Sequence, residues 1–460
     1  MRLHSLFVIS LAGFIALSTA AHAVADDEWS KTPEQRRAQW LEFKKANSHV
    51  PTPKKVWPEV IKDLVPADLK ILSDEIIPSD TDPTKKLRRI KLHFKSLKFE
   101  GKAWEHPSVI FMPADNSINM TPERKGKVVI VASPGWLAMD SHIAMFGEPI
   151  ATRTGYPTMV VTFAGIHTLK NRIEGVDIDC LTRQRLKTGK NYYNMNCQLA
   201  VSYTRAMDVF QKVLGLARVS AVIGGHSKCG RSATVAAAFD DRVASPIIMG
   251  NEGVFSLDKP QWHLSFHHAF FQDEVKVPVF YIGATDEGGY KRFNVNLLQE
   301  RLKRPMTVEM IPNYRHHNYH DKQFTDFMMW VTHIFDGRPI SKITDVSYER
   351  KNHRNYYRAR IEGDAKVKMV LVWYVYTDNP QWTGNVWYDW LMLKQKNGYY
   401  ETSVPGAKPD AYMIEVTDMA QGFKGYVTSL PQRISDAPIL QPNCDTPAWM
   451  GYPHRDPEAD

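Results

Sequence analysis

The sequence feature that most constrains the fold is a glycine-rich turn between an apolar run and a run of small residues. Residues 221–230 read AVIGGHSKCG, and residues 231–239 continue as RSATVAAAF. The first run predicts a buried strand, the second predicts a helix, and Ser227 lies at the turn between them. A serine at such a turn projects its hydroxyl above a parallel sheet, beside the first N–H groups of the helix. The pattern therefore predicts a nucleophile elbow with Ser227 as the nucleophile.

The glycine spacing differs from the usual G-x-S-x-G elbow. Gly225 precedes Ser227 by two residues, but the next glycine, Gly230, follows it by three, and Cys229 takes the expected glycine position. The alternative interpretation is an ordinary glycine-rich turn between a strand and a helix. We expect Cys229 to pack as a small apolar residue and not to act as a nucleophile.

Apolar runs elsewhere predict a mostly parallel sheet flanked by helices. Residues 89–112 alternate between apolar and polar side chains, which is typical of antiparallel strands. Continuous apolar runs, typical of parallel strands covered on both faces, lie at residues 127–133, 158–163, 218–223, 246–250, 277–283 and 308–311. Helical spacing lies between them, at residues 142–154 and 198–216. Strands that alternate with helices predict a fold of the α/β class.

The chain divides into four segments. Residues 1–23 have the charged start, apolar middle and small-residue end of a secretory signal peptide. Residues 24–339 are expected to form an α/β-hydrolase domain, in which the polar residues 165–196 form an insertion or lid. Short alternating runs predict a small C-terminal β-sandwich domain over residues 340–434, and residues 435–460 are expected to form a tail.

Composition and charge exclude several classes of function. The formal net charge is +8 for 460 residues and cations are interspersed with acids, so we expect no nucleic-acid partner. No run after the signal peptide approaches the about 20 apolar residues of a membrane span, so we expect an exported protein, periplasmic or secreted. Export permits a disulfide, and Cys180 with Cys197 is the favoured pair. The oligomeric state stays open.

A serine nucleophile needs a histidine base, and the base needs an acid to orient it. In α/β hydrolases the acid follows the serine in the chain and the histidine comes last. Asp286, just past the predicted strand 277–283, is the expected acid, with Glu287 as a less favoured neighbour. Glu252, just past the strand at 246–250, is the alternative acid. The expected base is His316, and its alternatives are His317 and His320.

The oxyanion of such a reaction needs two N–H donors. The backbone N–H of Lys228 is one candidate, and Gly135 or Trp136, after the first parallel strand, would supply the other. The side chain of Lys228 could add positive charge for the oxyanion or for a substrate carboxylate. The alternative is a solvated lysine at the start of a helix.

Two groups of histidines raise the question of a metal site. His263 and His267 are spaced by one helical turn, with His268 adjacent, and residues 316–320 hold three histidines. Neither group has the H-E-x-x-H pattern or a cage of carboxylates. We therefore expect no metal and no cofactor.

Several short segments carry a resemblance to a known family. They are RAMD at 205–208, GHSKCG at 225–230 and DRV at 241–243, followed by a strand that ends in an acid. These segments resemble the PhoPQ-activated pathogenicity-related proteins, which are exported and α/β-hydrolase-like. Trp373, Tyr374, residues 377–380 and Trp387 are similar to the β-domain of that family. The resemblance implies the two-domain architecture and little about the substrate.

The basic residue directly after the serine, Lys228, carries a second resemblance, to bacterial glucuronoyl and acetyl xylan esterases. In those esterases the basic residue assists the oxyanion, and the acid can come from the earlier strand. This resemblance is the reason that Glu252 stays an alternative to Asp286.

The expected function is that of a serine hydrolase that acts on carboxylic esters, either small molecules or glycan esters, through an acyl-enzyme. A serine peptidase is an alternative that the sequence leaves open. Another is a non-catalytic protein that keeps the hydrolase scaffold and binds a glycan or a partner protein. In that case Trp382, Trp387 and Trp390 could stack on sugars, although aromatic residues of a sandwich more often belong to its core.

Overall fold

The structure is a computed structural model, which describes residues 31–46, 48, 53–99, 102–115, 117–133, 139–163, 195–250, 274–286, 291–302, 306–316, 320–377 and 384–434. Its α-helices are α1 (Pro33–Ala46), α2 (Pro53–Val60), α3 (Met139–His142), α4 (Glu148–Thr154), α5 (Met195–Leu214), α6 (Lys228–Phe239), α7 (Lys291–Arg301) and α8 (Asp321–Asp336). A π-helical segment, Ile143–Gly147, joins α3 to α4. Within these described ranges no helix is long and apolar enough to cross a membrane.

Nine strands form one large sheet. They are β1 (Lys70–Pro78), β2 (Lys86–Phe99), β3 (Lys102–Pro113), β4 (Lys127–Ser133), β5 (Thr158–Thr162), β6 (Ser220–His226), β7 (Val243–Met249), β8 (Val279–Asp286) and β9 (Met306–Arg315). Their order is β1-β2-β3-β5-β4-β6-β7-β8-β9. The first three strands are antiparallel to their neighbours, and the pairs from β5 to β9 are parallel. This order, with the serine turn after β6, defines an α/β-hydrolase fold and confirms the predicted class.

The parallel strands are apolar throughout because helices cover both faces of the sheet. Val128 and Ile130 of β4 point into one core cluster, which α5, α6 and α7 complete, whereas Val129 and Val131 point into another, shared with α4 and α8. The strand run KVVIVAS therefore lacks the alternation of a half-exposed strand. The alanine and glycine residues of α6 let this helix approach the sheet closely, and most of its side chains are buried.

The C-terminal domain is a β-sandwich of two antiparallel sheets. Its strands are β10 (Lys342–Lys351), β11 (Arg354–Glu362), β12 (Lys366–Val375), β13 (Trp387–Leu391), β14 (Leu393–Lys394), β15 (Tyr399–Pro405), β16 (Ala411–Ala420), β17 (Phe423–Thr428) and β18 (Gln432–Arg433). One sheet has the order β10-β11-β15-β14, and the other has the order β13-β12-β16-β17, with β18 paired to β16. Along β12, Val372 and Tyr374 face the first sheet, while Trp373 and Val375 pack against the α/β-hydrolase core.

Buried charges join the two domains. The Lys322 ammonium of α8 donates to Glu415 of β16 at 2.5 Å and lies 3.4 Å from Glu309 of β9. Burial raises the pKa of Glu309 above its ordinary value. Burial opposes the charge of Lys322, but the surrounding carboxylates outweigh this and hold the pKa of Lys322 above its ordinary value. Asp326 accepts from the N–H of Tyr426 at 2.8 Å. The domains thus meet across a buried polar network as well as an apolar one.

Two local features differ from the sequence expectations. The last strand of the large sheet was expected at residues 308–311, with a loop from Pro312 to His316, but β9 continues to Arg315. Pro312 is tolerated because β9 lies at the edge of the sheet, where no further strand of the described part of the chain needs its missing N–H. The predicted helix at 142–154 begins earlier, at Met139, and includes the π-helical segment.

Candidate active site

Ser227 occupies the strained turn that the sequence predicted. It caps the start of α6 with φ 57° and ψ −120°, a backbone conformation that is rare for any residue except glycine. Its N–H donates to the carbonyl of Met249 at 2.7 Å, and its own carbonyl accepts the first helical bond from Arg231. The serine is therefore fixed between the ends of β6 and β7, and strain of this kind is typical of functional positions.

Two glycines allow the helix to approach the sheet so closely. A Cβ on Gly225 would lie 2.5 Å from the Cβ of Cys229, and a Cβ on Gly230 would lie 2.6 Å from the carbonyl oxygen of Gly225. Gly230 thus makes the close contact with the strand, one residue later than in the usual motif. Cys229 fills the space beside Gly225, and burial raises the pKa of its thiol to about 12. A neutral buried thiol fits the expectation that Cys229 packs and does not react.

His316 reaches Ser227 from the end of β9. Its Nε2 lies 3.1 Å from the Oγ of Ser227, which is hydrogen-bond distance. An irregularity in β9 aims the histidine there. Asn313 has φ 55°, and its N–H donates to the Thr285 hydroxyl at 2.8 Å. The pairing of β8 with β9 shifts at this point, before Asp286 pairs with Arg315. Such a bulge redirects the side chains that follow it, here toward the elbow.

His226 is a contact of the site that sequence reasoning missed. It is the last residue of β6, directly before Ser227, and its side chain is buried. The rings of His226 and His316 lie 4.6 Å apart between centroids at an interplanar angle of 46°. One side of the His316 ring is therefore fixed by packing. The only signal in the sequence was the position of His226 beside the serine.

The expected acid, Asp286, makes its hydrogen bonds elsewhere. Its Oδ2 accepts from Arg315 at 3.2 Å, and its Oδ1 accepts from the N–H of Gly384 at 3.0 Å. Among the described residues, no hydrogen bond joins Asp286 to His316. The alternative acid, Glu252, and the less favoured Glu287 lie outside the described residues.

Other predicted site residues fall in several places. Lys228 is the first residue of α6, so its N–H points out of the start of the helix toward the elbow. Gly135, Trp136 and His317 lie outside the described residues. His320 is the N-cap of α8, where its side chain accepts from the N–H of Lys322 in a capping box.

The remaining expectations concern metals and disulfides. No group of three or more potential metal ligands occurs in the part of the chain that the structure describes. His263, His267, His268 and the side chains of the predicted disulfide, Cys180 and Cys197, lie outside that part. Of the three tryptophans considered for sugars, Trp387 is buried, Trp390 is about half exposed, and Trp382 is outside the described residues.

Solved structures with a similar fold include three esterases. An acetyl xylan esterase 1 from Thermoanaerobacterium sp. is 10% identical, covering 61% of this chain and 95% of its own, with a TM-score of 0.41. An acetyl xylan esterase from Paenibacillus sp. R4 is 12% identical, covering 64% and 94%, with a TM-score of 0.40. A CE15 esterase from a marine bacterial metagenome is 14% identical, covering 61% and 91%, with a TM-score of 0.39.

No family model and no curated protein sequence matches this chain. Membership of the PhoPQ-activated family therefore stays a prediction. The class that the topology defines is the α/β-hydrolase fold, and its elbow serine lies beside a histidine from the end of the last strand.

Proposed function

We propose that this protein is a serine hydrolase that cleaves carboxylic esters. The observation that carries the proposal is the 3.1 Å approach of His316 Nε2 to the Oγ of Ser227, on a backbone turn held at φ 57°. A serine hydroxyl is a weak nucleophile unless a base takes its proton, and this geometry supports His316 in that role. The burial of Cys229 leaves Ser227 as the nucleophile of the elbow.

The reaction follows from these positions. The Ser227 oxygen attacks the acyl carbon while its proton passes to Nε2 of His316. The negative charge on the carbonyl oxygen is stabilised by the N–H of Lys228 and by one from the Gly135 or Trp136 loop. His316 then gives the proton to the departing alcohol, which leaves an acyl-enzyme. Water gives a proton to His316 as it attacks the acyl carbon. His316 then passes that proton to the Oγ of Ser227 as the bond between the acyl carbon and Oγ breaks, which releases the acid and free Ser227.

For the orienting acid, we propose Glu252 in preference to Asp286. Both oxygens of Asp286 already accept hydrogen bonds, from Arg315 and from Gly384 of the sandwich domain. A carboxylate used in this way supports the docking of the two domains. Glu252 follows the end of β7, the strand whose Met249 carbonyl holds the N–H of Ser227.

Labelling with a fluorophosphonate tests the nucleophile and the base. We expect covalent modification of Ser227, mapped by mass spectrometry, and its loss in Ser227→Ala. His316→Asn should slow labelling on the order of 10³-fold, because the base is gone. Matched controls are Ser220→Ala, an exposed serine of β6, and His353→Asn, an exposed histidine of the sandwich. A folded wild-type protein that is not labelled contradicts the proposal.

The two acids are separated by isosteric substitutions. Glu252→Gln should slow labelling on the order of 10³-fold, since an amide cannot stabilise the imidazolium. Asp286→Asn should have an effect of about tenfold or less and should weaken the docking of the sandwich. The reverse ranking would return Asp286 to the triad.

Export is the other part of the proposed role. The signal-peptide pattern of residues 1–23 implies that the ester is met outside the cytoplasm. N-terminal sequencing of the protein from the periplasm or medium should give a start near Val24. A start at Met1 in all fractions would contradict export by this route.

A further inference from the structure

One edge of the sandwich carries a row of exposed aromatic and aliphatic side chains. Tyr388 is 50% exposed and Trp390 is 47% exposed, and Leu391 and Leu393 are exposed to a similar degree. These residues belong to β13 and β14. Strand β13 pairs with β12 along one side, and no strand within the described ranges pairs with its other side. The aromatic residues therefore lie on a free edge of the domain.

The two rings point to the same side of this edge. Tyr388 is opposite Tyr374 and Trp390 is opposite Val372 in the register of the strands. Tyr374 and Val372 face the other sheet of the sandwich, so Tyr388 and Trp390 lie at the open rim between the sheets. We call these two residues the aromatic rim. Their Cα atoms are about 7 Å apart along the strand.

The ring of Tyr388 is held before any ligand arrives. Its centroid lies 5.9 Å from that of Tyr374 and 6.4 Å from that of Tyr376. Behind Tyr374, the ring of the buried Tyr357 continues the cluster at 6.2 Å. Because packing already restricts the side chain, binding on its outer face costs little conformational entropy.

The aromatic rim is joined rigidly to the strand that carries the base. The Asn313 carboxamide accepts from the N–H of Trp387 at 2.8 Å and donates to its carbonyl at 2.9 Å. His316 is three residues beyond Asn313, and Trp390 is three residues beyond Trp387, each about 10 Å of extended chain. The rim is thus within about 25 Å of the catalytic imidazole. A small ester does not span this distance, but a polymer of several sugars does.

We propose that the aromatic rim, Tyr388 and Trp390, binds a polysaccharide chain that presents its ester substituent to Ser227. The inference rests on the proposed ester hydrolysis and names its substrate class. A sugar ring has an apolar C–H face that stacks on an aromatic ring, and hydroxyl groups at its margin. Tyr and Trp suit both parts, because each combines a flat apolar body with a polar O–H or N–H.

Charge and symmetry disfavour other occupants. Asp389 is the only charged residue from Val386 to Leu393, so this edge does not attract an anionic polymer. A second copy that paired antiparallel about the middle of β13 would place the two Asp389 carboxylates opposite each other. Like charges directly opposite in a strand pair are destabilising. An uncharged sugar chain meets neither obstacle.

Binding is measured on the full mature chain with Ser227→Ala, so that no substrate is consumed. The probes are acetylated xylan, acetylated glucomannan and methyl-esterified pectin, each cast in a native gel that retards a bound protein. At least one of the polysaccharides should retard the Ser227→Ala variant in the gel. The variant that also carries Tyr388→Ala and Trp390→Ala should bind that polysaccharide about tenfold or more weakly. The matched control is Tyr356→Ala, an exposed tyrosine of β11 on the outer face of the other sheet. Thermal unfolding shows that each variant is folded.

Several outcomes would overturn the inference. One is that none of the three polysaccharides retards the protein, and another is that rim substitutions leave the retardation unchanged. A dimer, or binding to vesicles of anionic phospholipid, that the rim substitutions abolish would assign the edge to another occupant. Fluorophosphonate labelling of wild-type protein is read separately. Labelling without polysaccharide binding overturns this inference alone, whereas binding without labelling overturns the proposed hydrolysis and, with it, the presentation of an ester to Ser227.

Discussion

A single added carbon atom at Gly230 tests whether close packing of α6 on the sheet builds the site. The Cβ of Gly230→Ala would lie 2.6 Å from the carbonyl oxygen of Gly225 and 3.1 Å from Ile248 Cα and Met249 N. All three are backbone atoms of β6 and β7, so no side-chain rotation relieves the contact. The nearest is about 0.8 Å short of the 3.4 Å at which ordinary contact begins.

The size of the effect follows from that shortfall. The start of α6 has to retreat from the sheet by most of an ångström, and Ser227 and Lys228 move with it. The hydrogen bond from Ser227 to His316 is 3.1 Å long, so it has little tolerance for lengthening. A misplacement of about 1 Å at a reacting group costs on the order of 10²-fold in rate. Overpacking of a tight interior costs about 1–3 kcal/mol of stability.

The assay combines fluorophosphonate labelling rates with urea unfolding. Gly230→Ala should label on the order of 10²-fold more slowly while staying folded. The control is Gly215→Ala, in the turn after α5. Its φ is +65° but nothing lies within 4 Å of an added Cβ. The free energy of unfolding of that variant should fall by about 1 kcal/mol, because alanine adopts this positive φ less easily than glycine, and its labelling rate should equal that of the wild type. Wild-type labelling and stability in Gly230→Ala would refute the reasoning.

Three further predictions concern buried groups. His226→Ala should lower kcat of ester hydrolysis by about tenfold or more with KM unchanged, because His316 loses its packing, and His226→Phe should restore much of it. Burial lowers the pKa of His106 to about 4. Neutral His106 therefore contributes fully to the stability of the fold above pH 6.5, the ordinary pKa of histidine, and this contribution is lost as the pH falls toward 4. When the pH is lowered from 7.5 to 5, the free energy of unfolding of the wild type, measured with urea, should therefore fall by about 2 kcal/mol more than that of His106→Asn. An equal fall in the two proteins would contradict this prediction. Lys322→Met should lower the free energy of unfolding by about 3–5 kcal/mol, since the buried Glu415 loses its cation. Adding Glu415→Gln to Lys322→Met should recover part of the lost free energy of unfolding, and no recovery would argue against an electrostatic cause.

The parallel core and the elbow could be predicted because their sequence signals are local. A strand covered on both faces must be apolar at every position, as in β4, and a turn as tight as that at Ser227 needs glycine on both sides. Strand β1 carries no such signal. Nearly all of its residues are exposed, so neither alternation nor a continuous apolar run marks it.

The position of His316 could be predicted only in part. The sequence indicated a histidine after the last strand, but Pro312 suggested that the strand ended there. Because β9 is an edge strand, the missing N–H of Pro312 has no ladder bond to break, and the strand continues through the bulge at Asn313. Asparagine is among the few residues that accept a positive φ. Its two hydrogen bonds to Trp387 come from a distant segment, which no local pattern reveals.

The sandwich supports the strand ends that lie next to the candidate site. Asn313 bonds Trp387, and the carboxylate of Asp286 accepts from the N–H of Gly384, so the ends of β9 and β8 are both hydrogen-bonded to the second domain. The buried Lys322 depends on Glu415 of β16 for its closest carboxylate. If the sandwich were absent, these polar groups would be left without the partners that offset their burial. The sandwich thus supports β9, the strand whose end brings His316 to Ser227.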